Sequence, residues 1–99
     1  MRLRNSLEIK TPAQIDLMRK AGLIVADALA AVTAEIGDGV TTAQLNSIAA
    51  TVIRKHGAMP SFLGYHGYPA VICTSVNYEV VHAIPNEKPL RDGDIISID

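Results

Sequence analysis

The chain has 99 residues, 48% of them apolar, which is enough to bury the core of one domain or of part of one. Its formal net charge of -1, with both signs spread along the sequence, excludes the basic face that nucleic-acid binding or anchoring to an anionic membrane requires. Residues 1–8 lack the apolar segment of a secretory signal, and the single cysteine, Cys73, cannot form an internal disulfide, so we expect a cytoplasmic protein with no membrane span.

The first predicted element is a long helix that begins at Thr11. Thr11 can cap a helix, Pro12 suits its first position, and Gln14 can return the capping hydrogen bond. Behind this start, apolar and small residues recur at alternating steps of three and four, which predicts one packed helix face: Ile15, Met18, Gly22, Val25, Leu29, Val32 and Ile36. Glycines within residues 37–39 predict the end of the helix.

A second helix is predicted to start immediately afterwards. Thr41 and Gln44 repeat the capping pattern, and Gly57 is a good helix stop. The apolar stripe between them consists of Leu45, Ile48, Ala49, Val52 and Ile53. His56 falls at the end of this helix, where we expect it to complement the helix dipole and to have no functional role.

Loops and strands are predicted for the rest of the chain. Residues 60–69 mix glycine and proline with aromatics, which is typical of a loop or a short strand. Strands are predicted at residues 70–76, 79–84 and 94–99, with turns at Asn77 and at Asp92-Gly93. Two helices followed by closely connected strands predict an α+β fold with a mainly antiparallel sheet.

The last predicted strand runs to the final residue, Asp99. A strand edge with free N–H and C=O groups and an apolar face is a liability for a folded protein. We therefore expect the chain to belong to a longer product, or to pair with a partner chain or a second copy that covers the open edge.

Three groups of side chains could carry chemistry. A carboxylate at a strand end, Asp99, suits a divalent metal ion, although most aspartates are simply solvated. His82 could bind a substrate amide or stabilise developing charge, although a histidine in such a position is more often a hydrogen-bonded structural residue. An aromatic cluster could line an apolar pocket or merely pack a loop against the helices; it consists of Phe62, Tyr65, His66 and Tyr68.

Several segments, in order and at the right spacing, resemble the methionine aminopeptidases of bacterial type I. Residues 60–69 (PSFLGYHGYP) resemble the substrate-pocket loop of that family. Residues 75–85 (SVNYEVVHAIP) resemble its S-x-N-x-x-V-x-H-G-I-P segment, and residues 90–99 (LRDGDIISID) resemble the strand that delivers the first metal ligand. Residues 9–22 match the first helix, so the resemblance covers residues 9–99.

The resemblance implies the N-terminal half of a pita-bread fold, so that residues 1–99 would form a single incomplete domain. Asp99 would be the first ligand of a site for two divalent ions (Co, Mn, Fe or Zn) in the full-length parent, and His82 would contact the substrate near the scissile amide. The methionine pocket would be lined by Phe62, Tyr65, Tyr68 and Cys73, with His66 near its mouth. The substrate would be a peptide or nascent polypeptide with N-terminal methionine, met transiently at the ribosome.

Two positions depart from the family pattern. Ala83 replaces the glycine that usually follows the histidine, and Tyr78 stands where the residue is often acidic, so either could reduce or retune activity. The other metal ligands of the family would lie beyond residue 99, and we expect this chain alone neither to hold the metals stably nor to cleave peptides.

Other interpretations remain open at this point. The chain could come from a non-catalytic pita-bread protein that binds peptides or partners, or from a related enzyme that cleaves Xaa-Pro bonds. It could also be a truncated reading frame or a deliberately shortened chain.

Overall fold

The computed structural model describes residues 7–99, so the expectation drawn from residues 1–8 lies mostly outside the described part. Helix α1 spans Pro12–Glu35 and helix α2 spans Thr42–Lys55. A short 3₁₀-helix at Tyr65–Gly67 follows, and then two antiparallel strands, β1 at Thr74–Val76 and β2 at Ile96–Ile98. This order confirms the predicted α+β class. None of the helices within residues 7–99 has the length and apolarity that a bilayer span needs.

Both predicted helix starts are confirmed as capping boxes. Thr11 Oγ1 accepts the N–H of Gln14 at 3.2 Å, while Gln14 Oε1 accepts the N–H of Thr11 at 2.8 Å. Thr41 and Gln44 repeat the exchange at 3.1 and 2.8 Å. These reciprocal bonds satisfy N–H groups that a helix start leaves without partners. Helix α2 ends just before Gly57, whose φ of +70° suits the predicted stop.

The core lies between α2, the C-terminal half of α1 and the strands. Leu45 and Ala49 of α2 are completely buried, and Val32 of α1 is 1% exposed. The sheet adds partly buried side chains that pack against this cluster: Val76, Ile96 and Ile98. The predicted apolar stripe of α2 therefore does form the centre of the core.

The predicted stripe of α1 has the correct period but is mostly not buried. Val32 alone is buried among its seven members, and the large apolar ones remain 38–58% exposed: Ile15, Met18, Val25, Leu29 and Ile36. Helix α2 has 14 residues against 24 in α1. At about 1.5 Å of rise per residue, α2 is too short to cover the first turns of α1. The expectation of one packed face is wrong for most of the stripe, because Val25 and Leu29 in the second half of the helix are also exposed.

The strands are shorter than predicted. The register pairs Thr74 with Ile98, Ser75 with Ser97, and Val76 with Ile96. The ladder continues beyond both strand ends: Cys73 and Asp99 exchange backbone hydrogen bonds of 2.8 and 3.0 Å, and the Asn77 N–H donates to the Ile95 carbonyl at 2.8 Å. Residues 70–72, predicted as strand, have no ladder partner of this kind within residues 7–99, and the N–H groups of residues 71 and 72 bond to a side chain of α2 instead.

The predicted strand at residues 79–84 does not form, so that prediction is wrong. Glu79 closes a turn by donating its N–H to the Val76 carbonyl at 3.1 Å, and His82 takes a left-handed φ of +60° that no extended strand accommodates. Val80 and Val81 favour strands by composition, but they are 84% and 64% exposed. Strand preference expresses packing on a sheet surface, and these two side chains have none.

Candidate functional site

Asp99 directly follows β2, at the end of the two-stranded sheet. Its backbone pairs with that of Cys73, and directly opposed residues in an antiparallel ladder point their side chains to the same face. Ile98 points to the opposite face and packs against the core. The Asp99 carboxylate therefore lies on the outer face of the sheet, beside the Cys73 thiol, and is exposed to solvent.

The predicted aromatic cluster separates into two pairs. The rings of Phe62 and Tyr68 meet edge to face, with centroids 6.1 Å apart and an angle of 77° between planes. Tyr65 and His66 form a second edge-to-face pair at 4.3 Å, and both are exposed. Phe62 and Tyr68 are half-buried, so the first pair is partly packed, whereas the Tyr65–His66 pair lies on the surface.

Tyr68 connects the aromatic loop to the segment before β1. Its hydroxyl donates to the Ile72 carbonyl at 2.9 Å and lies 3.2 Å from the Ala83 carbonyl. Burial and the neighbouring Cys73 side chain raise the pKa of Tyr68 above its ordinary value, so the hydroxyl remains a donor at neutral pH. Phe62, Tyr68, Cys73 and Asp99 thus form one continuous series of neighbours.

His82 lies on the exposed loop after β1, whereas the next residue, Ala83, is fixed by hydrogen bonds to β1. The Ala83 carbonyl accepts the N–H of Thr74 at 2.9 Å, and the Ala83 N–H donates to Ser75 Oγ at 3.2 Å. The Tyr68 hydroxyl also lies close to the Ala83 carbonyl. The residue after His82 is therefore a neighbour of Tyr68, which in turn neighbours Cys73.

A groove of about 310 Å³ runs between the two helices and the loop that precedes the aromatic cluster. Phe62 and Asp99 both border it, while its other walls are largely apolar: Ile24, Val25, Ala28, Leu29, Ile53, Met59, Pro60, Val71 and Ile72. The remaining predicted site residues do not line this groove: Tyr65, His66, Tyr68, Cys73 and His82. The structure therefore places Phe62 and Asp99 at the junction of the groove and the outer sheet face.

A hydrogen-bonded corner fixes the turn that leads into β2. Asn77, at φ +54°, donates from Nδ2 to Asp94 Oδ1 and accepts the Ile95 N–H at Oδ1, both at 3.0 Å. Asp94 Oδ2 also accepts the Arg91 N–H at 2.8 Å. These donors, led by the Arg91 backbone, lower the pKa of Asp94 from its ordinary value of 3.8. The corner sets the path of β2, which leads to Asp99.

Two positioning side chains escaped the sequence analysis. Asn46 Oδ1 on α2 accepts the N–H of Val71 at 2.9 Å and that of Ile72 at 3.3 Å, which fixes the chain just before Cys73. Ser75 accepts the Ala83 N–H, as described above. The sequence carries only a weak indication of the Asn46 bond. Asn46 is a polar residue directly beside the apolar stripe of α2, and such a residue is more often partly solvated than hydrogen-bonded to a distant loop.

The described residues do not by themselves form a metal site. Within residues 7–99, no three His, Cys, Asp or Glu side chains converge as a metal-binding group would require. A divalent ion takes four or more ligands, and a carboxylate such as Asp99 can supply one or two oxygens. Asp99 is chemically suited to a metal, but the described donor set can hold an ion only if other ligands join it.

Comparison with known proteins places these features in a family. Residues 16–99 match the model of metallopeptidase family M24. The methionine aminopeptidase of Clostridium perfringens is 48% identical over 91 residues, and methionine aminopeptidase 1 of Bacillus subtilis is 50% identical over 90 residues; these alignments take in 92% and 91% of this chain. The chain spans 36% of the length of each of those relatives.

A solved structure agrees with the sequence matches. The crystal structure of methionine aminopeptidase from Rickettsia prowazekii superposes with a TM-score of 0.90 at 42% identity. It covers 95% of this chain, which in turn covers 38% of that structure. The helices and strands described above are therefore part of the pita-bread fold, as the resemblance implied.

Proposed function

The chain belongs to metallopeptidase family M24, and we propose that it forms the N-terminal part of an aminopeptidase that removes methionine from the N-terminus of polypeptides. The observation that carries the proposal is the placement of the Asp99 carboxylate beside Cys73 on the outer face of the sheet. Tyr68 and Phe62 continue from Cys73, so a carboxylate suited to a metal lies near a half-buried aromatic pair, which we propose as the wall of a methionine-binding recess.

The recess fits the side chain that would be removed. A methionine thioether is flexible and polarisable, and it binds well against aromatic rings and sulfur. We assign Phe62, Tyr68 and Cys73 to the wall of this recess. The resemblance implied that Tyr65 lines the pocket, but Tyr65 is exposed and paired with His66, so we assign both residues to the mouth of the recess.

Asp99 is proposed as the first ligand of a site for two divalent ions, either Co, Mn, Fe or Zn. Such a site supplies an activated water and stabilises the oxyanion that forms when the amide is attacked. His82 is proposed to donate a hydrogen bond to the substrate near the scissile amide. The exposed position of His82 on its loop, tied through Ala83 to the recess, is compatible with that role.

The remaining ligands are proposed to come from the part of the family fold that residues 1–99 do not span. The 99-residue chain by itself is then expected to show no peptide turnover. The natural substrate is proposed to be a nascent polypeptide in the cytoplasm, met transiently at the ribosome.

A chimera provides a direct test of the proposed function. Residues 9–99 replace the corresponding segment of the Bacillus subtilis relative, and release of methionine from a Met-Ala peptide is measured with and without a chelator. We expect metal-dependent turnover by the chimera and none by the 99-residue chain. A correctly folded, metal-loaded chimera that binds the peptide without cleaving it would instead support a non-catalytic peptide-binding protein.

Single substitutions in the chimera test the role of Asp99. Asp99→Ala should abolish turnover and reduce the bound metal, because a ligand of the site is lost. Asp92→Ala is the matched control, since Asp92 is an exposed aspartate in the turn before the same strand and should leave turnover unchanged. Turnover that survives Asp99→Ala with full metal content is incompatible with the proposed ligand role.

A further inference from the structure

We propose that Ser75 is a positioning residue for His82, acting through the backbone of Ala83. The functional part of this inference rests on the proposed role of His82. The structural part stands on hydrogen bonds and burial within the chain, and it can be tested without any peptidase assay.

The loop after β1 is attached at its two ends and exposed between them. At its start, the N–H of Val76 donates to Glu79 Oε1 at 2.8 Å, and the N–H of Glu79 donates to the Val76 carbonyl at 3.1 Å. Val80 and Val81 are then 84% and 64% exposed. Side-chain packing therefore cannot hold the middle of this loop in one conformation.

His82 nevertheless has a specific and uncommon backbone conformation. Its φ of +60° lies in the left-handed region, which residues with a side chain enter infrequently. Such a conformation persists only where neighbouring contacts impose it. The nearest such contacts are those of the next residue, Ala83.

Ala83 is fixed by β1 on both sides of its backbone. The carbonyl of Ala83 accepts the N–H of Thr74, and the N–H of Ala83 donates to the hydroxyl of Ser75. Ser75 is only 4% exposed, so its hydroxyl is held in the sheet and cannot follow a moving loop. The Thr74 bond fixes where the peptide lies, and the Ser75 bond fixes how the Ala83 N–H is oriented.

That orientation determines the conformation of His82. The N–H of Ala83 and the carbonyl of His82 belong to the same planar peptide group. When Ser75 holds that N–H, it therefore also fixes the ψ angle of His82 and the direction in which the imidazole leaves the loop. A buried serine on the strand thus controls an exposed histidine without contacting it.

The test uses nuclear magnetic resonance on the isotope-labelled 99-residue chain. In Ser75→Ala we expect the Ala83 amide to exchange with solvent roughly fivefold faster, as loss of one typical hydrogen bond predicts. We also expect His82 to lose the strong intraresidue contact between its amide and α protons that marks a left-handed residue. Ser75→Cys, a similar shape with a weaker acceptor, should give an intermediate exchange rate.

Ser97→Ala provides the matched control. Ser97 is the cross-strand partner of Ser75, but its side chain is exposed. It should leave Ala83 and His82 unchanged, and exchange of the Leu45 and Ala49 amides should report that the core remains equally stable in every variant. Unchanged exchange at Ala83 in Ser75→Ala, or equal acceleration in Ser97→Ala, overturns the proposal.

The same variants in the chimera separate positioning from general stability. Ser75→Ala should lower kcat with little change in KM, because the recess that binds methionine is untouched while the histidine is misdirected. If the chimera is inactive in every form, the proposed peptidase function fails, and the exchange measurements still decide whether Ser75 positions His82.

Discussion

The bond between Asn46 and the loop before β1 allows a stability change to be worked out from the structure. Asn46→Ala removes one acceptor and leaves two N–H groups without a partner, those of Val71 and Ile72, which are 7% and 6% exposed. A buried donor left unpaired costs about 1–3 kcal/mol. The hydrogen bond from the Ile72 N–H is long at 3.3 Å, so the cost of losing it lies at the low end of that range.

A helix preference partly offsets this loss. Alanine is favoured over asparagine inside a helix by roughly 0.5 kcal/mol, and Asn46 lies within α2. We therefore expect Asn46→Ala to lower the free energy of unfolding by about 2 kcal/mol, the balance of the unpaired donors and the helix preference. Urea unfolding followed by circular dichroism should show a lower midpoint with an unchanged slope.

Two variants make this measurement decisive. Asn46→Asp keeps an accepting oxygen at the same place and should retain most of the stability. Ser47→Ala changes the adjacent, exposed residue and should stay within about 0.5 kcal/mol of the parent. The reasoning is refuted if Asn46→Ala shifts the midpoint no more than Ser47→Ala does.

Three more perturbations follow from individual hydroxyl and carboxyl groups. Thr74 Oγ1 is buried without a hydrogen-bond partner among the described residues, so Thr74→Val should raise the free energy of unfolding by about 1 kcal/mol. Thr42→Val should lower it by a similar amount, about 1 kcal/mol, because Thr42 Oγ1 bonds both the N–H and the carbonyl of Asn86; urea midpoints measure both. Because hydrogen bonding lowers the pKa of Asp94 from 3.8, its stabilising contribution is complete above that value and is lost as pH falls through the lower folded-state pKa. Asp94→Asn should therefore lose less stability than the parent between neutral and strongly acidic pH, measured by thermal unfolding at stepped pH, and an equal loss contradicts the linkage.

The helices were predictable because their signals are local. Thr11 with Gln14 and Thr41 with Gln44 carry the whole capping box within four residues, and both boxes form. Burial was less predictable, because it depends on which elements lie alongside. The period of α1 identifies a helix face correctly, yet Val32 is the one member of that face that is buried among the described residues.

The strands were harder to predict because their extent depends on partners distant in sequence. Residues 70–72 and 79–84 have the β-branched composition of strands. However, the Asn46 side chain accepts hydrogen bonds from N–H groups of the first segment, and the left-handed backbone of His82 interrupts the second. Composition measures the preference of a segment for a sheet, but it does not reveal whether another strand is available to pair with it.

Placement of the site residues depends on polar side chains that have no periodic pattern. The two strands have three residues each, so the ladder alone fixes little of the chain around them. Asn46 fixes the approach to Cys73, Asn77 fixes the turn into β2, and Ser75 fixes the peptide after His82. Each makes a bond over a sequence separation of 8 to 26 residues, which no local motif records. A resemblance to a family can therefore locate Asp99 and His82 in the sequence, but only these bonds explain how the chain segments that carry the two residues are held in place.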